Sequence, residues 1–482
     1  MIKLFVSRNT ALPVLVLSLI CVMTFAGCTS NKTAEPVPTD PAFLQRVETF
    51  MYSTFDENLN EQDDFDFLVL PNFPESMKAD AKKEISENAP PYDAALSAVL
   101  WRKWSKVPAL IEKAKLETPA DNKEQMLKIL RLEGIFYVYH REIGKAAETY
   151  RQAAKLAPEN ITLQTTAGML SLFAGQAEPA LEIFRKLPHQ SDLEYATQLL
   201  WRGKANLYLG HVNEAEQDLD KALSMLKTTP EDRHLRSEIL NEVVKLKYVL
   251  GREREAAEIL PDAYETQVKL LGVKHPLLTD IKVSLAQFYI DQNLLEAAET
   301  ILVEAWKIAN KTLGLKHPYV LRLNLALGIL YRAAGKIEAA KKELSDMYQY
   351  SNDVLGPGHL LTLRGETELG GLMLSEGKLE DAKHFLEDAQ KNAEKSLGAD
   401  HYQLAQIYFL LGELYYREGK FKEAADIFGK GVTITEKVRG EKHLYNVGHL
   451  NTYAQLLEKA GRMQEAQETR KRLEELEKKL GK

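Results

Sequence analysis

Five histidines recur every 42 residues, each three places after a glycine: LGVKHP at 271–276, LGLKHP at 313–318, LGPGHL at 355–360, LGADHY at 397–402 and RGEKHL at 439–444. Imidazole is the commonest metal ligand and a frequent general base. His275, His317, His359, His401 and His443 are therefore the first residues to test for chemistry. One ion needs its nitrogens about 2 Å away, whereas equivalent positions on packed helices stand about 10 Å apart. No single metal can collect the five, so the expectation is no metal and an architectural role.

The neighbours of each histidine support that reading. Gly272, Gly314, Gly356, Gly398 and Gly440 follow long apolar-periodic stretches and read as helix stops, because glycine accepts a positive φ. Pro276 and Pro318 stand where a following helix would begin, a place that needs no backbone donor. The histidines between stop and start are expected to form a ladder of ring contacts from each loop to the next.

The period extends into the elements that carry these loops. Counting by 42 from Ala298 gives Ala340, Ala382, Ala424 and Ala466, with Ala256 one period upstream. Twelve residues before each stand Val244, Ala286, Gly328, Gly370, Gly412 and Ala454, five of the six small. Two small residues per period let two helices cross closely. The unit is therefore a helix pair, with residues 277–291 and 295–312 as one example, joined by a turn bearing Asn293 or, elsewhere, Gly251, Gly335, Gly377, Gly419 or Gly461.

Upstream, Ala215, Ala180 and Ala146 follow Gly203, Gly168 and Gly134 at the same distance, now with units 34 to 41 residues apart. Gly134, Tyr137, Ala146, Tyr150, Ala153 and Pro158 keep the intervals of a 34-residue repeat. Here the chain resembles the tetratricopeptide family, and its last five units resemble the 42-residue variety with LGxxHP loops found in kinesin light chains and many bacterial proteins. The resemblance covers residues 123–476. Physics leads to the same place, since a helix pair buries its apolar stripe only by stacking on the next pair.

The expected fold is an all-α, right-handed α-solenoid of antiparallel helix pairs. Residues 123–479 form about nine repeats, ending in a polar capping helix at 465–479, where Arg470 replaces Leu344, Leu386 and Phe428 of earlier units. Residues 42–122 are a separate N-terminal helical region, with a degenerate pair expected at 91–117 around Trp101 and Trp104. Within it DENLNEQDDFD (56–66) lacks the glycine and terminal glutamate of a calcium loop and reads as solvated.

Residues 1–27 carry Lys3 and Arg8, then an uncharged apolar run from Ala11 to Phe25, a signal-peptide pattern too short to span a bilayer. Phe25-Ala26-Gly27-Cys28 resembles the bacterial lipobox, in which the cysteine is acylated, although the usual leucine is Phe25 here. That resemblance implies lipidation of Cys28, and Thr29 in place of aspartate implies the outer membrane, facing the periplasm. Residues 28–41 read as a flexible tether. Only Cys21 and Cys28 exist, so the mature chain has no disulfide. Its charge falls from −7 to −9, because Lys+Arg drops from 62 to 60 against 69 Asp+Glu, which disfavours nucleic acid.

No phosphate-binding, dinucleotide-binding, zincin, CxxC or serine-nucleophile motif occurs, so neither enzyme nor cofactor is expected. In the resembling family the first helix of each pair lines the concave face. Partner contacts there come from positions six and three before the small residue and one and four after it. Carried onto this chain, those positions include Arg322, Arg332, Arg364, Gln406, Glu413 and Tyr416. Of the asparagines with which kinesin light chains grip cargo backbone, only Asn451 has a counterpart. The reading is a lipid-anchored envelope scaffold that binds a protein or peptide through its concave face. The competitors are a peptidoglycan-binding regulator of a cell-wall enzyme and an enzyme with its site in residues 42–122.

Overall fold

The computed structural model describes residues 89–480 apart from 101, 102, 141, 190, 228 and 229. The signal-like segment, Cys28, the tether, the acidic stretch and Trp101 lie outside the described residues. Those described form twenty α-helices in ten consecutive pairs, without a strand.

The first five pairs are Pro91–Leu100 with Val107–Glu117, Lys123–Tyr139 with Ile143–Leu156, Ile161–Phe173 with Ala177–Lys186, Asp192–Tyr208 with Val212–Met225, and Pro230–Val249 with Glu253–Leu271. The sixth to tenth are Thr279–Asp291 with Leu295–Leu313, Pro318–Ala333 with Ile337–Leu355, Leu360–Ser375 with Leu379–Leu397, Tyr402–Arg417 with Phe421–Arg439, and Tyr445–Lys459 with Met463–Lys479. Nine of these pairs lie from Lys123 onward. The degenerate pair at 91–117 exists and shares a core with the second pair through Val107, Ile111, Ile129 and Leu132. Its Trp104 is half-buried against Phe136 and His140, at centroid distances of 6.3 and 5.5 Å.

Close crossing of the two helices explains the small residues. A Cβ on Gly328 would lie 2.5 Å from Leu344, and one on Gly370 2.7 Å from Leu386. Ala298, Ala340, Ala382 and Ala424 are wholly buried and Ala466 nearly so. First helices also pack against the first helices of neighbouring pairs, so they form the inner layer and the second helices the outer one.

Two kinds of stop alternate along the chain. Within a pair, the Gly335 amide bonds the Arg332 carbonyl and the Lys336 amide reaches back to Tyr331, a left-handed cap that Asn293 adopts at φ 58° in its own unit. Between pairs, Gly314 adopts φ 77° and ψ 162°, a region open essentially to glycine alone. The sequence anticipates the positive φ; the extended ψ is what turns the chain outward toward the histidine.

The last described helix, Met463–Lys479, buries Ala466, Thr469, Leu473 and Leu476, while Arg470 pairs with Glu458 at 2.8 Å.

Candidate functional site: a seam of histidines and a charged inner face

Each loop histidine caps the helix that follows it. The Nδ1 atoms of His275, His317, His359, His401 and His443 accept from the amides of Leu277, Tyr319, Leu361, Gln403 and Tyr445 at 3.1–3.3 Å. Asn122, Asn160 and Ser191 do the same in the shorter upstream units. An imidazole reaches further than either side chain, and its second nitrogen stays available.

That second nitrogen joins distant parts of the array. His401 Nε2 stands 2.9 Å from the Tyr208 carbonyl and His443 Nε2 3.0 Å from the Gly251 carbonyl. His359 hydrogen-bonds the Phe173 backbone, and the Leu360 amide donates to the Tyr208 hydroxyl at 3.0 Å. The loops ahead of the eighth, ninth and tenth pairs thus meet the turns of the third, fourth and fifth pairs. Arg439 adds a bond to the Val249 carbonyl at 3.1 Å, and Tyr445 donates to Glu253 at 3.1 Å.

The superhelix therefore closes on itself with a repeat of five pairs, along a seam. The expected ring ladder between neighbouring loops is replaced by this arrangement: His359 faces Tyr208, and His401 and His443 face the tyrosines that follow them. Adjacent loops are a helix-packing distance apart, too far for ring contact, while one superhelical turn brings a loop against an earlier turn.

These bonds require neutral imidazole with the proton on Nε2. Burial favours that form, holding His359 down at about 3 and His401 at about 4. His449, stacked on Phe409 at 4.3 Å inside the last two pairs, is also pushed down to about 3 by burial.

The inner face carries a chain of ion pairs running across four helix pairs. Lys204 lies 3.8 Å from Glu242, Lys245 lies 2.8 Å from Glu242 and 3.0 Å from Asp280, and Arg322 lies 2.5 Å from Asp280. Arg322 and Lys245 hold Asp280 far below the usual carboxylate range despite its burial. Arg332 pairs with Glu368 at 2.8 Å, and Gln406 donates to the same carboxylate at 3.1 Å. Glu413 pairs with Arg417, Tyr416 packs on Phe421 at 5.5 Å, and Asn451 is half-buried in the tenth pair.

Of the residues singled out by register, Arg364 alone keeps an exposed, unpaired charge. In the first helices of the sixth to ninth pairs it is the only exposed residue away from a helix end. Desolvation by the surrounding inner face lowers its proton affinity together with Arg322, against the opposing pull of Tyr402 and Glu368. Tyr402 was missed by the register argument because it lies at the start of its helix, four residues before Gln406.

Among the described residues no cluster of three or more His, Cys, Asp or Glu side chains is disposed to hold a metal. No described helix is long and apolar enough to cross a membrane.

The described residues form an all-helical solenoid of stacked helix pairs. Residues 280–319 and 359–437 match family models described as tetratricopeptide repeat. Similar solved structures include a Podosopora anserina protein described as a kinesin light chain with nearly identical TPR-like repeats. It is 24% identical over 43% of this chain and 98% of that one, with a TM-score of 0.37. A Rap protein complexed with competence and sporulation factor is 14% identical over 81% of this chain and 97% of its own, with a TM-score of 0.50. BtubC from P. vanneervenii is 18% identical over 47% of this chain and 91% of its own, with a TM-score of 0.35. No curated protein matches the sequence.

Proposed function

We propose that the protein is a lipid-anchored scaffold of the bacterial envelope that holds a segment of a partner protein against the inner face of its closed superhelix. Arg364 carries the reading, because it is an exposed, unpaired guanidinium in the middle of a first helix whose neighbouring inner-face charges are paired. The ion-pair chain along the surrounding first helices supplies charged groups at fixed register around it. The lipobox-like FAGC and the following tether support anchoring through Cys28, with the body held off the membrane.

The test places a photo-crosslinking benzoylphenylalanine at Tyr319 or at Tyr416 in the full lipidated protein, with Lys307 on the outer layer as control. One recurrent adduct from both inner positions and none from Lys307 is the expected result. Adducts from Lys307 alone would refute inner-face binding. Retention of the protein on purified sacculi without a protein adduct would favour peptidoglycan as the ligand.

A further inference from the structure

The ion pairs of the inner face differ in one respect from an ordinary surface network. Lys204, Lys245 and Arg322 share Glu242 and Asp280, and Arg332 shares Glu368 with Gln406, so each carboxylate is already occupied. Arg364 is left over, with no hydrogen bond and no ion pair among the described residues. Tyr402, buried and within electrostatic reach of Arg364, likewise has no hydrogen-bond partner for its hydroxyl among them. A guanidinium offers a planar fork matched to carboxylate, and a neighbouring phenol offers a third donor. Burial keeps Tyr402 protonated, with its pKa pushed up to about 12, so at neutral pH it can donate.

We propose that Arg364 and Tyr402 form an anchor for one carboxylate of the bound partner segment, an inference that rests on the inner-face reading above. Arg322 contributes positive potential without offering its own fork, which is committed to Asp280. A phosphate dianion would call for a second uncommitted cation beside Arg364, and the neighbouring Arg322 and Arg332 are paired with Asp280 and Glu368. The two sources of the carboxylate are a chain terminus and an aspartate or glutamate side chain.

Phenylglyoxal labelling of the full mature chain, read by mass spectrometry of the Arg364 peptide, tests the anchor directly. The probes at constant ionic strength are N-acetyl-Ala-Ala with a free terminus, N-acetyl-Asp-Ala-amide, N-acetyl-Asn-Ala-amide and inorganic phosphate. The expected result is saturable slowing of Arg364 labelling, on the order of fivefold, by one or both carboxylate probes and by neither control. The preferred carboxylate probe tells terminus from side chain. Equal slowing by all four, or by none, overturns the proposal, as does stronger protection by phosphate.

In cells, Arg364→Gln and Tyr402→Phe are combined with the Tyr319 crosslinker. A hydrogen-bonded charge pair predicts a tenfold to hundredfold loss of adduct for Arg364→Gln, with a smaller loss for Tyr402→Phe. An undiminished adduct sinks the carboxylate anchor and leaves the inner-face reading standing. Absence of any inner-face adduct from the parent protein sinks the reading itself. Labelling uses the unmodified inner face, so a folding defect in either variant does not decide the matter.

Discussion

Replacing His359, His401 and His443 together by asparagine separates the two jobs of the loop histidine. Asparagine is among the best N-cap residues, so the amides of Leu361, Gln403 and Tyr445 keep an acceptor. Its side chain cannot also reach Phe173, Tyr208 and Gly251, so the seam loses its three imidazole bonds. At about 1 kcal/mol net each, the loss is about 3 kcal/mol, concentrated between two turns of one superhelix. The alanine triple variant also removes the caps, at about 1 kcal/mol each. Because repeat arrays unfold piecewise, amide exchange is a better readout than one global midpoint. Exchange should quicken at the turns around Gly175, Gly210 and Gly251 and at the facing loops, while the helix-pair cores stay protected. Small-angle scattering should show a larger radius of gyration as the turns part. If the asparagine variant keeps both its protection pattern and its radius, the histidines cap helices and do nothing to close the superhelix.

Three further outcomes follow. Gly328→Ala should cost about 1–3 kcal/mol by overpacking, since its Cβ would stand 2.5 Å from Leu344. Gly448→Ala, where nothing lies within 4 Å, should gain up to about 1 kcal/mol from helix propensity; chemical denaturation of the two variants checks the sign of each. His401 titrates at about 4 in the folded chain against 6.5 ordinarily, so unfolded chains bind a proton there that folded ones refuse. Its contribution is complete above pH 6.5 and is lost on acidification to about 4, a cost of about 3 kcal/mol. Asp291 and Glu366, raised to about 7 by burial, act oppositely and lose stability as pH rises from about 4 to 7. His401→Asn removes only the first effect, so its stability should fall less steeply than the parent's between pH 6.5 and 4. Finally, Cys28→Ser should abolish metabolic labelling with an alkynyl fatty acid and release the protein from the membrane fraction; continued labelling would refute lipidation at that residue.

The repeat was legible because each constraint on a helix pair is local. Gly328 meets Leu344 sixteen residues away, and Gly335 ends the helix in which it stands. The seam was illegible for the opposite reason: His401 and Tyr208 are 193 residues apart. Their meeting depends on the accumulated rotation of five helix pairs, which no single period encodes. The inner face lies between these cases. Its register was readable, and placed Arg322 and Arg364 in equivalent positions. Which of them kept its charge free was decided by neighbours: Asp280, one period before Arg322, supplies a carboxylate, and the same register one period later than Arg364 holds Gln406, already bonded to Glu368. A small hint was present in the register itself, since the sequence Asp, Arg, Arg, Gln leaves one arginine without an acid.

The seam and the free arginine bear on each other. An open solenoid sets its curvature by the sum of many soft interfaces, and a partner can bend it at little cost. Here three histidine bonds tie the third, fourth and fifth pairs to the eighth, ninth and tenth, so curvature is fixed by the seam as well as by the stacking. Tyr208 sits at the junction: its hydroxyl accepts from Leu360, its carbonyl from His401, and it lies within electrostatic reach of Tyr402, the proposed partner of Arg364. Loosening the seam should therefore move one of the two donors of the anchor while leaving both donor side chains chemically unchanged. Partner adducts at Tyr319 should weaken in the asparagine triple variant even though none of its substitutions touches the ligand. If they persist at full strength while scattering shows the turns apart, the inner face recognises its partner one helix pair at a time, and closure of the superhelix serves stability alone.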